Sequence, residues 1–218
     1  MTTPYSKHGS QKLGSDGDPI RQGLFACQKM NELMQQVKLD GGESPFQSIA
    51  DAAKLSNEGK KEEARSRLRS ILDSAKLETR LQLWVWSALR ELNEHPDMKF
   101  GSEILGVVIE VPMQAAYDTL AAYQDGSARY LNYSGRAIFW DAPDATIKQL
   151  CLALLAASAT AGSRAKPRID VALPKSGMQV TLLTRSGNYV VCDPPGPVVQ
   201  AAQGLMIELI RRAKGAQS

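Results

Sequence analysis

The sequence predicts an α+β protein: a helical N-terminal region, then an antiparallel sheet with helices packed on one of its faces. Three observations carry this. Apolar residues recur at helical spacing from Ile20 to Leu92, then give way at Ile104 to the β-branched run ILGVVIEV. Tight turn signals, Asp125-Gly126 the strongest, separate the runs that follow, and strands joined so closely pair antiparallel. The stretch NYSGRAIFWDAPDATIKQLCLALL from Asn132 aligns without a gap with TRSGNYVVCDPPGPVVQAAQGLMI from Thr184. A strand, turn, strand and helix unit is therefore expected twice, over about 127–161 and 178–213.

The 218 residues divide into a polar lead at 1–17, a helical region at 18–97 and an α+β domain at 98–218. The lead carries too little apolar surface to offset the entropy of ordering, so a mobile tail is expected. A composition of 43% hydrophobic and 22% charged residues matches soluble globular proteins. No apolar run reaches the length of a membrane span, and the N-terminus lacks the apolar core of a secretory signal. The expectation is a cytoplasmic protein with no membrane association. A net charge of +3 is too slight to point to nucleic acid. Cys27, Cys151 and Cys192 are widely spaced and form no CxxC pair, so each is read as a small interior hydrophobe.

Asp18-Pro19 supplies an N-cap and a proline at the first helical position, and Ile20, Leu24, Cys27, Met34 and Val37 give a stripe. One helix over about 19–38 follows, stopped by Leu39-Asp40-Gly41-Gly42-Glu43, and Ser44-Pro45 repeats the start signal. From Phe46 to Asn93 three segments present apolar faces: Phe46, Ile49, Ala50 and Ala53; Ala64, Leu68, Ile71, Leu72 and Ala75; Leu81, Trp84, Val85, Ala88, Leu89 and Leu92. Breaks fall at Gly59 and near Lys76 to Glu78. The phrase NEGKKEEARSRLRSIL, with Gly59 at the turn and Ala64, Leu68 and Ile71 at the packing positions, resembles a tetratricopeptide-type helical hairpin within 45–93. It departs from that pattern at Leu55 and Lys76. A lone hairpin of this kind needs a neighbour to bury its face, which the rest of the chain would supply.

His95-Pro96 ends the helical region, and strands are expected at 104–111, 118–124, 127–133 and 136–141. Asp144 is the natural N-cap of a helix over 145–161, matched by Gly196 before a last helix over about 197–213. Between them lie three further strands, 168–173, 178–185 and 188–193. This order of elements is similar to a profilin-like or roadblock-like sandwich, which implies a fold and no activity.

Catalytic signatures are missing. His8 and His95 are the two histidines, and there is no HExxH, P-loop or strand-following GxGxxG, so neither a cofactor nor a metal is indicated. NYSGR lacks the spacing of a nucleophile elbow. Lys60, Lys61, Arg65, Arg67 and Arg69 alternate with acids and read as a solvated helix face. Arg164, Lys166 and Arg168 with Arg211, Arg212 and Lys214 would form a phosphate-contacting surface only if the fold joined them; nucleic-acid binding is a third reading.

The leading expectation is a non-catalytic interaction or scaffolding subunit, with a protein partner or as a homodimer. Its candidate surface is Tyr133, Arg136 and Trp140, with Arg185 at the position matching Tyr133, because Tyr, Trp and Arg dominate binding hot spots. The alternative is a small-molecule-binding domain or enzyme using the strand-end carboxylates Asp141 and Asp193.

Overall fold

The computed structural model describes residues 18–39, 46–73, 77–114 and 116–215. The expected tail and the Ser44-Pro45 start signal lie outside them. In chain order the helices are α1 Pro19–Gly23, α2 Met30–Leu39, α3 Gln47–Asn57, α4 Lys61–Leu72, α5 Thr79–Glu91 and α6 Met98–Gly101, followed by α7 Ala145–Ala159 and α8 Gly196–Gly215. The strands are β1 Ile104–Pro112, β2 Tyr117–Tyr123, β3 Ala128–Leu131, β4 Ala137–Trp140, β5 Lys166–Pro167, β6 Gln179–Thr184 and β7 Gly187–Cys192. All pair antiparallel in one sheet of order β4-β3-β2-β1-β6-β7-β5. The fold is α+β.

Helices cover both faces of the sheet, where one was expected. Val107, Ile109, Leu120, Ala122, Tyr130, Val180 and Leu182 point to α7 and α8, which contribute Ile147, Cys151, Leu154, Leu205 and Leu209. Val108, Ala121, Tyr123 and Leu183 point to α1–α5, where Leu33, Ile49, Leu68, Trp84 and Leu89 are buried. This double cover explains why β1 is an almost uninterrupted apolar run rather than an alternating one. A register shift between Ile104 and Gly106 turns Leu105 to the α1–α5 side, out of step with Val107 and Ile109. The α3–α4 hairpin turns at Gly59, whose φ of 80° is in the left-handed region that glycine tolerates.

Two segments differ from expectation. The helix expected over 19–38 breaks between α1 and α2, with Ala26 at φ 46°. Long-range bonds hold the break: the Tyr123 hydroxyl donates to Leu24 O at 2.8 Å and Asn188 Nδ2 donates to Phe25 O at 3.0 Å. The run 168–173 is no strand; only Lys166 and Pro167 pair with β7 before the chain crosses the sheet as a loop.

The two aligned stretches carry the same order of elements but different registers. In β3–β4, Leu131 pairs with Ala137 across a five-residue loop, whereas in β6–β7, Thr184 pairs with Gly187 across two. The aligned partners Ile138 and Val190 therefore fall out of step by one residue, and a one-residue slip reverses a strand's faces. Ile138 and Trp140 face the α7–α8 layer, whereas in β7 that role passes to Tyr189 and Val191.

Candidate functional site

The β3–β4 hairpin forms one outer edge of the sheet, and three of the four residues singled out for a partner surface lie on it. Tyr133 is in the turn, 45% exposed, its N–H donating to Asp118 Oδ1 at 2.7 Å. Asn132 caps the turn from within, its Oδ1 accepting from Ser134 N at 2.8 Å, and Gly135 takes φ 87°. Arg136 is exposed and immediately precedes β4; no carboxylate pairs with it among the described residues. Trp140 ends β4 half-buried, with the Arg212 guanidinium 5.9 Å from its ring centroid.

Phe139 is the residue of this edge that the hot-spot reasoning passed over. It projects on the α1–α5 side of the sheet, where the described helices reach β1 and β2 but leave β4 uncovered, and it is 43% exposed. Below it Arg129 is buried, its guanidinium 5.5 Å from the Phe139 ring centroid and ion-paired with Asp141. The available signal was an apolar residue at every position of AIFW: on an edge strand, one set of alternate side chains has no layer to pack against.

Hydrogen bonding fixes which groups of the edge are open. Asn132 N donates to Arg136 O at 2.8 Å, so that pair is a bonded one, and the alternation of an antiparallel ladder makes 130/138 and 128/140 the next. The N–H and C=O of Ala137 and Phe139 therefore point away from β3. Among the described residues nothing bonds them. The opposite edge, β5, has two residues, one of them Pro167, which has no N–H to offer.

The remaining sequence candidates are dispersed. Arg185 sits in the β6–β7 turn, at the opposite end of the strands from Tyr133, with Nη1 donating to Phe100 O at 3.1 Å and ion-paired with Glu103. That contact holds the Glu103 carboxyl below its ordinary value. Asp141 follows β4 at the end of the sheet marked by Ala128, whereas Asp193 follows β7 at the end marked by Gln179 and Glu110. The two carboxylates make no joint site. Asp193 adopts φ 51° and its N–H donates to Met178 O at 3.1 Å, a turn role. Cys192 is exposed rather than interior because the slipped register places it outside the α7–α8 core, while Cys151 is buried as expected and Cys27 partly so.

The two basic groups are not joined either. Arg212 lies beside β4, while Lys166 belongs to β5 at the other edge. Arg168 is buried in a cluster that sequence reasoning missed: its Nη1 donates to Glu110 Oε2 at 2.9 Å, and Arg21 Nε donates to Glu110 Oε1 at 2.8 Å. The signal was Glu110 itself, an acid inside an otherwise apolar strand. On the second helix face, Lys60, Arg65 and Arg69 pair with Glu58, Glu62 and Glu94, as a solvated face does.

A groove of about 810 Å³ opens beside α7, with Ile104, Leu182 and Tyr189 as floor and Leu152, Leu155 and Met98 as walls. Among the described residues no three His, Cys, Asp or Glu side chains gather for a metal, and no helix is long and apolar enough to cross a membrane. No family model, curated protein or solved structure matches the chain.

Proposed function

We propose that the chain is a non-catalytic subunit that binds another protein through the β3–β4 hairpin. The observation that carries this is the open outer edge of β4, with Phe139 and Tyr133 exposed beside it. Unpaired strand edges with exposed apolar residues are what natural sheets cover or blunt, and here the α1–α5 layer stops short of covering it. The α3–α4 hairpin, read as tetratricopeptide-like, supports the choice of surface indirectly. Its Ile49, Ala52, Ala64 and Leu68 are spent in the core shared with the sheet, so that face has no apolar surface left for a partner.

The test is the size of the native complex. Tagged chain recovered from its own cells and sized by light scattering should exceed the mass of the free chain, and Phe139→Lys with Tyr133→Ala should return it to that mass. A chain that is free in its own cells, or that turns over a small-molecule substrate in an Asp141-dependent manner, overturns the reading.

A further inference from the structure

We infer that the edge of β4 takes an acidic, extended segment of another protein as an added strand. This rests on the interaction reading above and specifies its partner. Three features of the edge select the occupant.

The first is main-chain polarity. Ala137 and Phe139 each turn a donor and an acceptor outward, which is the pattern an added strand bonds. At four residues β4 is short, but no proline or lysine lies within it and no bulge breaks its pairing with β3.

The second is charge. Around the hairpin, Arg129 is paired with Asp141, Arg212 with Asp144 and Arg211 with Glu208. Arg136 at one end of β4 has no carboxylate partner among the described residues. The open positive charge of the edge is therefore at its Arg136 end. A second copy of this chain fits it less well, because the carboxylates at the far end of its own β4 hairpin, Asp141 and Asp144, are already paired with Arg129 and Arg212 and leave Arg136 without a counter-charge.

The third is the division of the two faces. Arg136 shares a face with Ile138 and Trp140, toward α8, while Ala137 and Phe139 share the opposite one. An incoming strand meets this with acidic residues on the α8 side and apolar residues against Phe139. The matching segment alternates acid and apolar along its length.

A fluorescently labelled, end-capped peptide of alternating glutamate and valine tests this against a lysine–valine peptide of the same length. The glutamate peptide should bind, weakening as salt rises. The Ala137→Pro variant should bind it about tenfold more weakly, since it removes an outward N–H and sets a ring at the edge. The same N–H is not used by β3, so the hairpin keeps its ladder, and a thermal melt matching wild type verifies that. Arg136→Glu, which alters no backbone, should weaken the glutamate peptide and flatten its salt dependence.

Failure of the glutamate peptide to bind, equal binding of the lysine peptide, or equal binding to Ala137→Pro overturns the inference. So does a wild-type dimer that Ala137→Pro dissociates. In that last case the interaction reading survives with a different occupant, whereas a native complex unaffected by Ala137→Pro removes the edge from both.

Discussion

Arg168 Nη1 donates to Glu110 Oε2 at 2.9 Å with both side chains buried, which ties the loop after β5 to the central strand. The other oxygen of Glu110 accepts from Arg21, so α1, β1 and the loop meet at one carboxylate. Val171 O accepts from Arg21 Nη2 at 2.6 Å, and the Phe25 ring lies under both guanidiniums, 5.3 Å from that of Arg21 and 4.7 Å from that of Arg168. Removing the carboxylate leaves buried guanidiniums without their counter-charge, a change that costs roughly 3–5 kcal/mol. Glu110→Gln should lower the urea midpoint accordingly with the slope unchanged. A variant as stable as wild type would show that the cluster contributes nothing.

Asp144 caps α7, its Oδ1 accepting from Ile147 N at 3.0 Å. This bond is the first cause of its carboxyl lying below the ordinary value, ahead of the nearby Arg212. Asp144→Ala should cost about 1 kcal/mol in denaturant unfolding. Asp144→Asn keeps an acceptor at the cap and should cost less, losing only the exposed part of the pairing with Arg212. Equal losses in the two variants would assign the effect to charge rather than to the cap.

Local chemistry made parts of this fold legible. The β1 run, the Asp125-Gly126 turn with Gly126 at φ 93°, and the Asp144 cap all rest on residues that act within a few positions of themselves. What was not legible depends on distant partners. The helix break at Leu24–Phe25 is held from Tyr123 and Asn188, and nothing near it in sequence announces that. Arg168 reads as one member of a basic group with Arg164 and Lys166 until Glu110 and Thr181 stand beside it. The gap-free alignment of the two hairpins concealed a difference in loop length, five residues against two; the resulting one-residue slip in register moved Cys192 out of the core, while the opposite directions of β4 and β7 in the sheet set Asp141 and Asp193 at opposite ends. On the candidate surface, Tyr133, Arg136 and Trp140 were adjacent in the chain and stay together, whereas Arg185 was joined to them by analogy between the hairpins alone.

Gly106 lies where β1 meets Tyr123 and Leu183. A Cβ there would stand 2.8 Å from Tyr123 Cδ1, 3.1 Å from Leu183 Cδ1 and 3.3 Å from Ala122 O. Both ring and methyl belong to the buried core, and the carbonyl is fixed in the β1–β2 ladder, so neither side yields without cost. Gly106→Ala should destabilise by about 1–3 kcal/mol, the usual range for an overpacked core. Thermal unfolding at neutral pH measures it, and an unchanged midpoint would mean that the strand shifts freely at its bulge.

Tyr123 and Cys151 link stability to alkaline pH. Burial pushes the Tyr123 hydroxyl from 10.0 up to about 12, against weaker opposing fields from Arg80 and Arg129. Burial likewise pushes the Cys151 thiol from 9.0 up to about 12. Each group stays protonated in the folded chain after its unfolded counterpart has ionised. Their contribution is therefore complete below about pH 9 and falls as pH rises toward 12. For Tyr123 the loss spans pH 10 to 12 and amounts to about 2–3 kcal/mol, two pKa units at 1.36 kcal/mol each. Guanidinium unfolding at a series of pH values should show the decline. Tyr123→Phe removes the hydroxyl that donates to Leu24 O, so it should be less stable than wild type near pH 8 and close that gap by pH 12. A gap of constant size across that range would show that Tyr123 ionises as readily in the folded chain as in the unfolded one.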